Sequence, residues 1–493
     1  MSAHPLIGSR FGGRKHILAA ILLFCGLMAF IPNLNASFLA DDYVLFSWTQ
    51  AHSLAEVFAF FDPHTWWFYR PIIKVIYWLS QSIFGLQPLP LHLLALVLHG
   101  LMAFLLYYLL AQQRRVAWSV ALAAALVFLL NAHHAETTAW SAAIGDLIAG
   151  CCILGSLICF NAYAQQRRIW PRLVFWGLFA VGLLTRETTT LLPFLVLLDL
   201  LVFGWPRRES AGRVGLAYGG YVAILLSYGL LQLLGHPPGS DSVARGGLHF
   251  HLLNIDSVLL AILDYVHGLV PGGSYLLQLP LPVLQWLVWV EWIGLCALGI
   301  ALWRTGQRVA LWGLLWMLVT PLLFVFLSAP SDRYFYIPAL GYAVLVASLL
   351  VQWPHLLTKV RPAAHRPARW LAGGVIGGLL LFQMHDLLVR EAMWSAAGQM
   401  SERVLQEVHQ AIPNPHDYGA FYFIGLPGTL GGVPVFLDGL PQAIQLTYAR
   451  NQTLATYLVT CPELLRTQLP RYSYFFRYTG RGVEPLARAQ DCP

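Results

Sequence analysis

Charge is what this sequence has least of. Of its 493 residues only 11% are Asp, Glu, Lys or Arg, against 58% hydrophobic. Soluble domains carry about 25% charged residues, so a single water-soluble core is excluded. Cysteine is sparse as well, seven in all, without the paired spacing that a structural zinc site requires. Cys25, Cys151, Cys152, Cys159 and Cys296 fall inside apolar runs and read as small hydrophobes. Cys461 and Cys492 lie in a more polar C-terminal segment, where an oxidising compartment would let them pair. There is no internal repeat and no low-complexity tract. No small-residue cleavage site follows the apolar stretch behind Arg10, Arg14 and Lys15, so that stretch is expected to remain as a first membrane helix.

What the chain has in abundance is long apolar runs, with a mean hydropathy of +0.62. Crossing a bilayer takes about 20 apolar residues per helix. Such runs predict eleven spans, at 16–35, 90–112, 116–132, 142–163, 170–184, 188–204, 213–235, 283–303, 309–328, 338–355 and 370–388. The expected fold is an all-α polytopic membrane domain, residues 1–388, followed by a small extracytoplasmic α/β domain, residues 389–493. That second domain is expected to hold a helix near 392–411 and strands near 420–425, 454–459 and 473–478.

Basic residues set the orientation. The short loops assigned to the cytoplasm hold 17 of the 30 Lys and Arg, among them Arg114, Arg115, Arg207, Arg208, Arg304 and Arg308. The opposite loops before the C-terminal segment hold five, Arg70, Lys74, Arg186, Arg245 and Arg333. An odd number of spans then places the N-terminus inside and the C-terminal domain outside, in a bacterial inner membrane. Acids show the reverse bias: eleven in the outer loops and Glu209 alone in the inner ones. The +7 formal charge is therefore a topology signal rather than a nucleic-acid footprint. The acids place the chemistry on the outer face.

Two outer loops are long, 36–89 and 236–282. The first carries the adjacent acids Asp41 and Asp42, then an aromatic stretch, Trp66-Trp67-Phe68-Tyr69-Arg70-Pro71-Ile72-Ile73-Lys74, which predicts a helix lying along the membrane surface. Arg70 and Lys74, four apart, would share one of its faces. The second holds a predicted helix at 254–269 between Pro237-Pro238-Gly239 and Pro271-Gly272-Gly273, and is either a cover over a site or a connector.

Other polar residues recur where the predicted helices reach the same side: His133, His134 and Glu136 after the third, Asp146 opening the fourth, Arg186-Glu187 between the fifth and sixth, and Asp332-Arg333 between the ninth and tenth. Charges are costly within a bilayer, so they face a cavity or one another. Each group also has a plain structural role open to it. The alternative for Asp41 and Asp42 is to cap the loop or meet the N-terminal dipole of the next helix, and for Arg186-Glu187 and Asp332-Arg333 to form local ion pairs. His133 and Glu136, three apart, together with Asp42, form a candidate metal set, so a divalent cation is a candidate cofactor. Asp199 and Glu291, within apolar runs, are expected to bond to neighbouring helices. Asn451-Gln452-Thr453 fits the glycosylation acceptor pattern.

The chemistry that suits such a chamber is transfer of a sugar from a lipid phosphate. The donor's prenyl tail stays in the bilayer and its phosphate sits at headgroup depth. A phosphate leaves as a stable anion and needs no general acid. The reaction needs one base for the acceptor hydroxyl and cations for the developing phosphate charge. Asp41 or Asp42 supplies the first; two adjacent carboxylates repel, so one should titrate higher than usual. Arg70, Lys74, Arg186 and Arg333 are candidates for the second, arginine being the better oxyanion partner. A single base opposite the leaving group implies inversion at the anomeric carbon.

Several of these residues, in this order, resemble polytopic glycosyltransferases of the C-type superfamily, in particular the protein O-mannosyltransferases and the transmembrane-and-tetratricopeptide mannosyltransferase-like group with its bacterial counterparts. They are Asp41-Asp42, Tyr69-Arg70-Pro71, Leu91-His92 with His99, His133-His134-Ala135-Glu136-Thr137, Gly145-Asp146-Leu147, Thr185-Arg186-Glu187-Thr188 and Asp332-Arg333-Tyr334-Phe335-Tyr336-Ile337-Pro338. The resemblance covers roughly residues 16–350. It implies a polyprenyl-phosphate-linked sugar donor, an extracytoplasmic active site, Asp41 as base and Asp42 assisting the acceptor or a cation. His133, His134, Glu136, Asp146 and Glu187 would then support the acceptor side. Two departures stand out: Arg186-Glu187 replaces the family's frequent Lys-Glu, and no 34-residue repeat follows the last helix. The acceptor is thereby left open among protein, glycan and lipid. The rival expectations are a transporter or flippase of lipid-linked sugars, which needs polar residues at mid-membrane depth, and a non-catalytic subunit of envelope glycan assembly.

Overall fold

The computed structural model describes residues 14–65, 69–165, 170–204, 208–235, 255–270, 281–325, 331–360, 365–448 and 454–492. Trp66-Trp67-Phe68, Pro237-Pro238-Gly239, Pro271-Gly272-Gly273, Asn451-Gln452-Thr453 and Arg10 lie outside them, as do Arg167, Arg168, Arg207, Arg245 and Arg361.

A helix stands at each of the eleven expected positions. Seven of them, among the described residues, are long and apolar enough to cross a membrane: 15–35, 89–113, 141–164, 211–235, 286–304, 332–352 and 370–411. The chain is an integral membrane protein. The other four, Trp118–Leu129, Trp170–Leu183, Leu192–Phe203 and Arg308–Val319, have only 12 to 14 residues. At 1.5 Å per residue a 12-residue helix covers about 18 Å of a roughly 30 Å hydrocarbon layer. The tighter turns Glu187–Leu191 and Thr320–Leu323 extend two of them.

Helices pack closest where small residues meet. Gly313 on Arg308–Val319 and Gly341 on Tyr336–Val360 face each other so tightly that a Cβ on Gly341 would stand 2.5 Å from the Gly313 carbonyl. Asp332 and Arg333 precede the second helix of this pair in a short turn, Asp332–Phe335, and are held at its end.

The expected surface helix begins later than the sequence suggested. Pro71 occupies its first turn, and the helix runs Pro71–Phe84, stopped by Gly85 at φ 70°. Arg70 stands outside it with a non-helical backbone (φ −129°, ψ 62°), the proline that follows disfavouring the helical conformation there. The expected helix in the second long loop is present as Ile255–Leu269.

The last helix, His365–Ala411, is 47 residues long, about 70 Å. It continues unbroken across 388/389 and carries the chain from the bundle into the C-terminal domain. There β1 (Ala420–Ile424), β4 (Ala455–Val459), β5 (Ser473–Tyr478) and β6 (Val483–Leu486) form a sheet in the order β4-β1-β5-β6, with β1 parallel to both neighbours and β6 antiparallel. The fully buried β1 reads as the continuous apolar run of a central parallel strand. A small hairpin, β2 (Thr429–Leu430) and β3 (Val433–Pro434), and the helix Leu440–Thr447 complete it. Cys461 and Cys492 are joined in a disulfide. One apolar cluster joins this domain to the first long loop, with Phe38, Leu39, Tyr43 and Phe46 beside Phe421, Val435, Phe436 and Leu440.

Candidate active site

The site is built around the turn that opens the helix Asp41–Trp48. Ala40 caps it at φ 39°, a conformation that side chains other than glycine rarely adopt. Bonds on both sides hold that turn. Ala40 donates its N–H to the Val435 carbonyl at 2.8 Å, and Leu39 donates its own to Asp42 Oδ2 at 3.0 Å. Asp42 is 1% exposed, and its Oδ1 accepts the Tyr77 hydroxyl at 2.8 Å. Burial pushes the Asp42 carboxyl up to about 7 against the pull of those two donors, with Asp41 adding to the rise. Of the adjacent pair, then, Asp42 is the buried brace.

Asp41 is the accessible member. Surrounding protein raises its carboxyl, Arg333 opposes that rise, Asp438 of the C-terminal domain adds to it, and Arg70 and Arg186 oppose it. Those causes define the site: three arginines from distant parts of the chain and two carboxylates, one from each domain.

Each arginine is tethered. Arg70 grips Glu187 with a two-nitrogen fork, Nε–H at 3.0 Å to both oxygens and Nη2 at 2.6 Å. Burial works to raise Glu187, but Arg70 and Arg186 outweigh it and hold the carboxyl below its ordinary range. Arg186, 6% exposed, pairs with buried Asp146 at 3.0 Å. Arg186 and Glu187 therefore serve two different partners. Arg333 is held most loosely: its Nε stands 3.7 Å from Glu136, and its guanidinium lies 4.9 Å over the Trp140 ring. Burial raises the Glu136 carboxyl against the pull of Arg333, and Glu136 also accepts from Ser331 and from the Arg333 N–H at 3.3 Å.

Asp332 does not pair with its neighbour either. It takes His133 Nδ1 at 2.8 Å and Arg390 of the long last helix. His133 Nε2 meets the Gly268 carbonyl at 2.7 Å. Both of its ring nitrogens are thus engaged by protein oxygens. The sequence-predicted trio Asp42, His133 and Glu136 thus has three separate sets of partners. Among the described residues no group of three His, Cys, Asp or Glu side chains converges as metal ligands.

His134 lies elsewhere. It is fully buried against His99, Phe128 and Tyr336, and burial, reinforced by His99, holds its ring well below the usual range for histidine. Lys74 is buried one turn into the helix Pro71–Phe84. Burial lowers its ammonium to about 7, with Asp62 opposing. Asp199 pairs with Arg114, just past the end of the helix before it, and Glu291 pairs with His267 on the helix Ile255–Leu269.

Tyr77, Trp140, Arg390 and Asp438 complete the site, and nothing in the sequence singled them out. Arg390 and Asp438 belong to a segment with no motif, and Tyr77 and Trp140 are aromatics among many. The cavity of about 590 Å³ beside Phe38 and Tyr43, with Glu402 and His409 in its wall, is lined by none of the sequence-predicted site residues.

No family model and no curated protein matches this sequence. Among solved structures the chain is similar to ArnT from Cupriavidus metallidurans bound to undecaprenyl phosphate, at 15% identity and a TM-score of 0.47, covering 89% of this chain and 85% of that one. It is similar also to the same protein in the apo state, at 16% identity and a TM-score of 0.45, covering 88% and 85%.

Proposed function

We propose that the protein is an inverting glycosyltransferase that moves a sugar from a polyprenyl-phosphate-linked donor to an acceptor on the extracytoplasmic side. The observation that carries this is one accessible carboxylate, Asp41, within the electrostatic reach of three arginines while its neighbour Asp42 is buried. Asp41 takes the proton of the acceptor hydroxyl as the hydroxyl oxygen attacks the anomeric carbon. The bond to the donor phosphate oxygen breaks on the opposite face, and the phosphate departs with the electron pair. Arg333, the least committed guanidinium, receives the charge that develops there, with Arg70 and Arg186 behind it. Their partners Glu187, Asp146 and Glu136 fix these cations in place. Preorganised charge of this kind costs no rearrangement during the reaction. Apolar helices around the site suit a donor anchored by its tail.

The convergence of Arg333, Arg70 and Arg186 on Asp41 supports this over transport, which would need a path through the bundle. Mass spectrometry of envelope glycans, lipids and proteins tests the proposal in cells. A sugar mass should appear with the wild-type gene and vanish both without it and with Asp41→Asn. A mass that persists with Asp41→Asn at normal protein level refutes the assignment.

A further inference from the structure

Among the main electrostatic influences on Asp41, one comes from the C-terminal domain: Asp438, which raises its carboxyl. It sits in the short turn Leu437–Gly439, is exposed, and belongs to no ion pair among the described residues. The placement is built rather than incidental. Gly439 lies so close to the catalytic turn that a Cβ there would stand 2.2 Å from the Ala40 carbonyl. Val435, three residues before Asp438, accepts the Ala40 N–H at 2.8 Å. Phe436 stacks on Tyr43, with ring centroids 6.3 Å apart. Leu437, like Ala40, has a positive φ, 40° against 39°, so two strained turns meet through their backbones, with Asp41 following one contact residue and Asp438 preceding the other.

Building on the function proposed above, we propose that Asp438 is an acceptor-positioning residue. Asp41 takes the proton of the attacking hydroxyl, and Asp438 accepts a hydrogen bond from a second donor on the same acceptor, a neighbouring hydroxyl or amino group. The acceptor class follows. Two carboxylates flanking the attacking atom favour a neutral polyol or an aminosugar and oppose an acceptor whose attacking oxygen belongs to a phosphate, since like charges repel. The arginines serve the donor side.

The test uses the full-length protein in lipid nanodiscs with the labelled polyprenyl-phosphate sugar pool extracted from the producing cells. Acceptors are an envelope fraction from gene-deleted cells, octyl glucoside, an octyl aminoglucoside and dodecyl phosphate. The wild type should transfer to the glycosides and the envelope fraction and not to dodecyl phosphate. Asp438→Asn should raise the acceptor KM tenfold or more with kcat within threefold and undecaprenyl phosphate affinity unchanged. Asp438→Glu should restore the KM. Of the groups around Asp41, namely Asp42, Arg70, Arg186, Arg333 and Asp438, the variant removes one negative charge, so the acid limb of kcat/KM should move to lower pH. An unchanged KM and pH profile in a variant whose turnover still requires Asp41 overturns this inference and leaves the transferase standing. Preference for dodecyl phosphate does the same. Donor consumption by no form of the protein overturns both.

Discussion

Gly439→Ala asks whether the C-terminal domain sets the position of the proposed base. Gly439 has φ −85° and ψ −6°, a conformation open to alanine, so any effect is steric rather than torsional. The added Cβ would meet the Ala40 carbonyl at 2.2 Å, and its carbon at 2.8 Å. Contacts between unbonded heavy atoms settle near 3.5 Å, so the two turns must part by roughly 1 Å. Both contacts are backbone, so no rotamer change relieves them. Asp41 follows Ala40 directly and moves with it. A displacement of about 1 Å at a reacting group costs on the order of 100-fold in rate, or about 2.7 kcal/mol of barrier. The assay is donor turnover by purified protein at saturating donor, with undecaprenyl phosphate affinity measured in parallel. Turnover should fall about 100-fold while affinity stays within threefold. Gly428→Ala is the control, because its Cβ would meet only the Leu437 side chain at an ordinary 3.5 Å. A Gly439→Ala protein that turns over within threefold of wild type refutes the coupling between the two domains.

Three further outcomes follow from the same geometry. Tyr77→Phe removes a donor to the Asp42 carboxylate and should destabilise the protein by about 1.5–3 kcal/mol, read as a lower apparent melting temperature, and more at pH 8 than at pH 5. Folded Asp42 keeps its proton up to about 7 while the unfolded chain releases it near 3.8, so its contribution to stability declines as pH rises through that window; above it the ionised carboxylate depends on the hydroxyl. The pH profile of kcat/KM should lose activity on the acid side above the ordinary aspartate range, since Asp41 is raised and must be ionised to act; a profile flat down to pH 4 would contradict this. Arg333→Lys keeps the charge but loses the planar guanidinium that lies over the Trp140 ring, and should weaken undecaprenyl phosphate binding about tenfold, near 1.4 kcal/mol by calorimetry.

The helices were legible because membrane solvation leaves a coarse signal: each apolar run could be read alone, without knowing its neighbours. The strands β1, β4 and β5 were legible from their apolar, β-branched and aromatic content. The length of Arg308–Val319 was not, because Thr320-Pro321 tightens the chain within a run that hydropathy reads as continuous. The proposed surface helix began at Pro71 rather than at Trp66 or nearby because proline sets its own start. Within the site, charged residues at helix ends were visible as a set, but their pairing was not. Glu187 looked like the partner of Arg186, yet Arg70 reaches it across 117 positions, and Asp332 turns from Arg333 to His133 and Arg390. Pairing depends on which helix ends meet, and that information is not local. His133 and Glu136 suggested metal ligation by spacing alone; the neighbours that engage them come from residues 268 and 331–333. Asp438 could not have been picked out, because its meaning lies entirely in Gly439 touching Ala40.

The central proposal concerns a single oxygen-bearing side chain at the membrane rim. Purified Asp41→Asn protein, compared with wild type for undecaprenyl phosphate binding and for consumption of lipid-linked sugar, tests it most directly. The substitution should leave binding unchanged and lower turnover by about 10²–10⁴, the range that general-base catalysis contributes. Turnover equal to wild type in a protein that still binds the lipid would contradict the account.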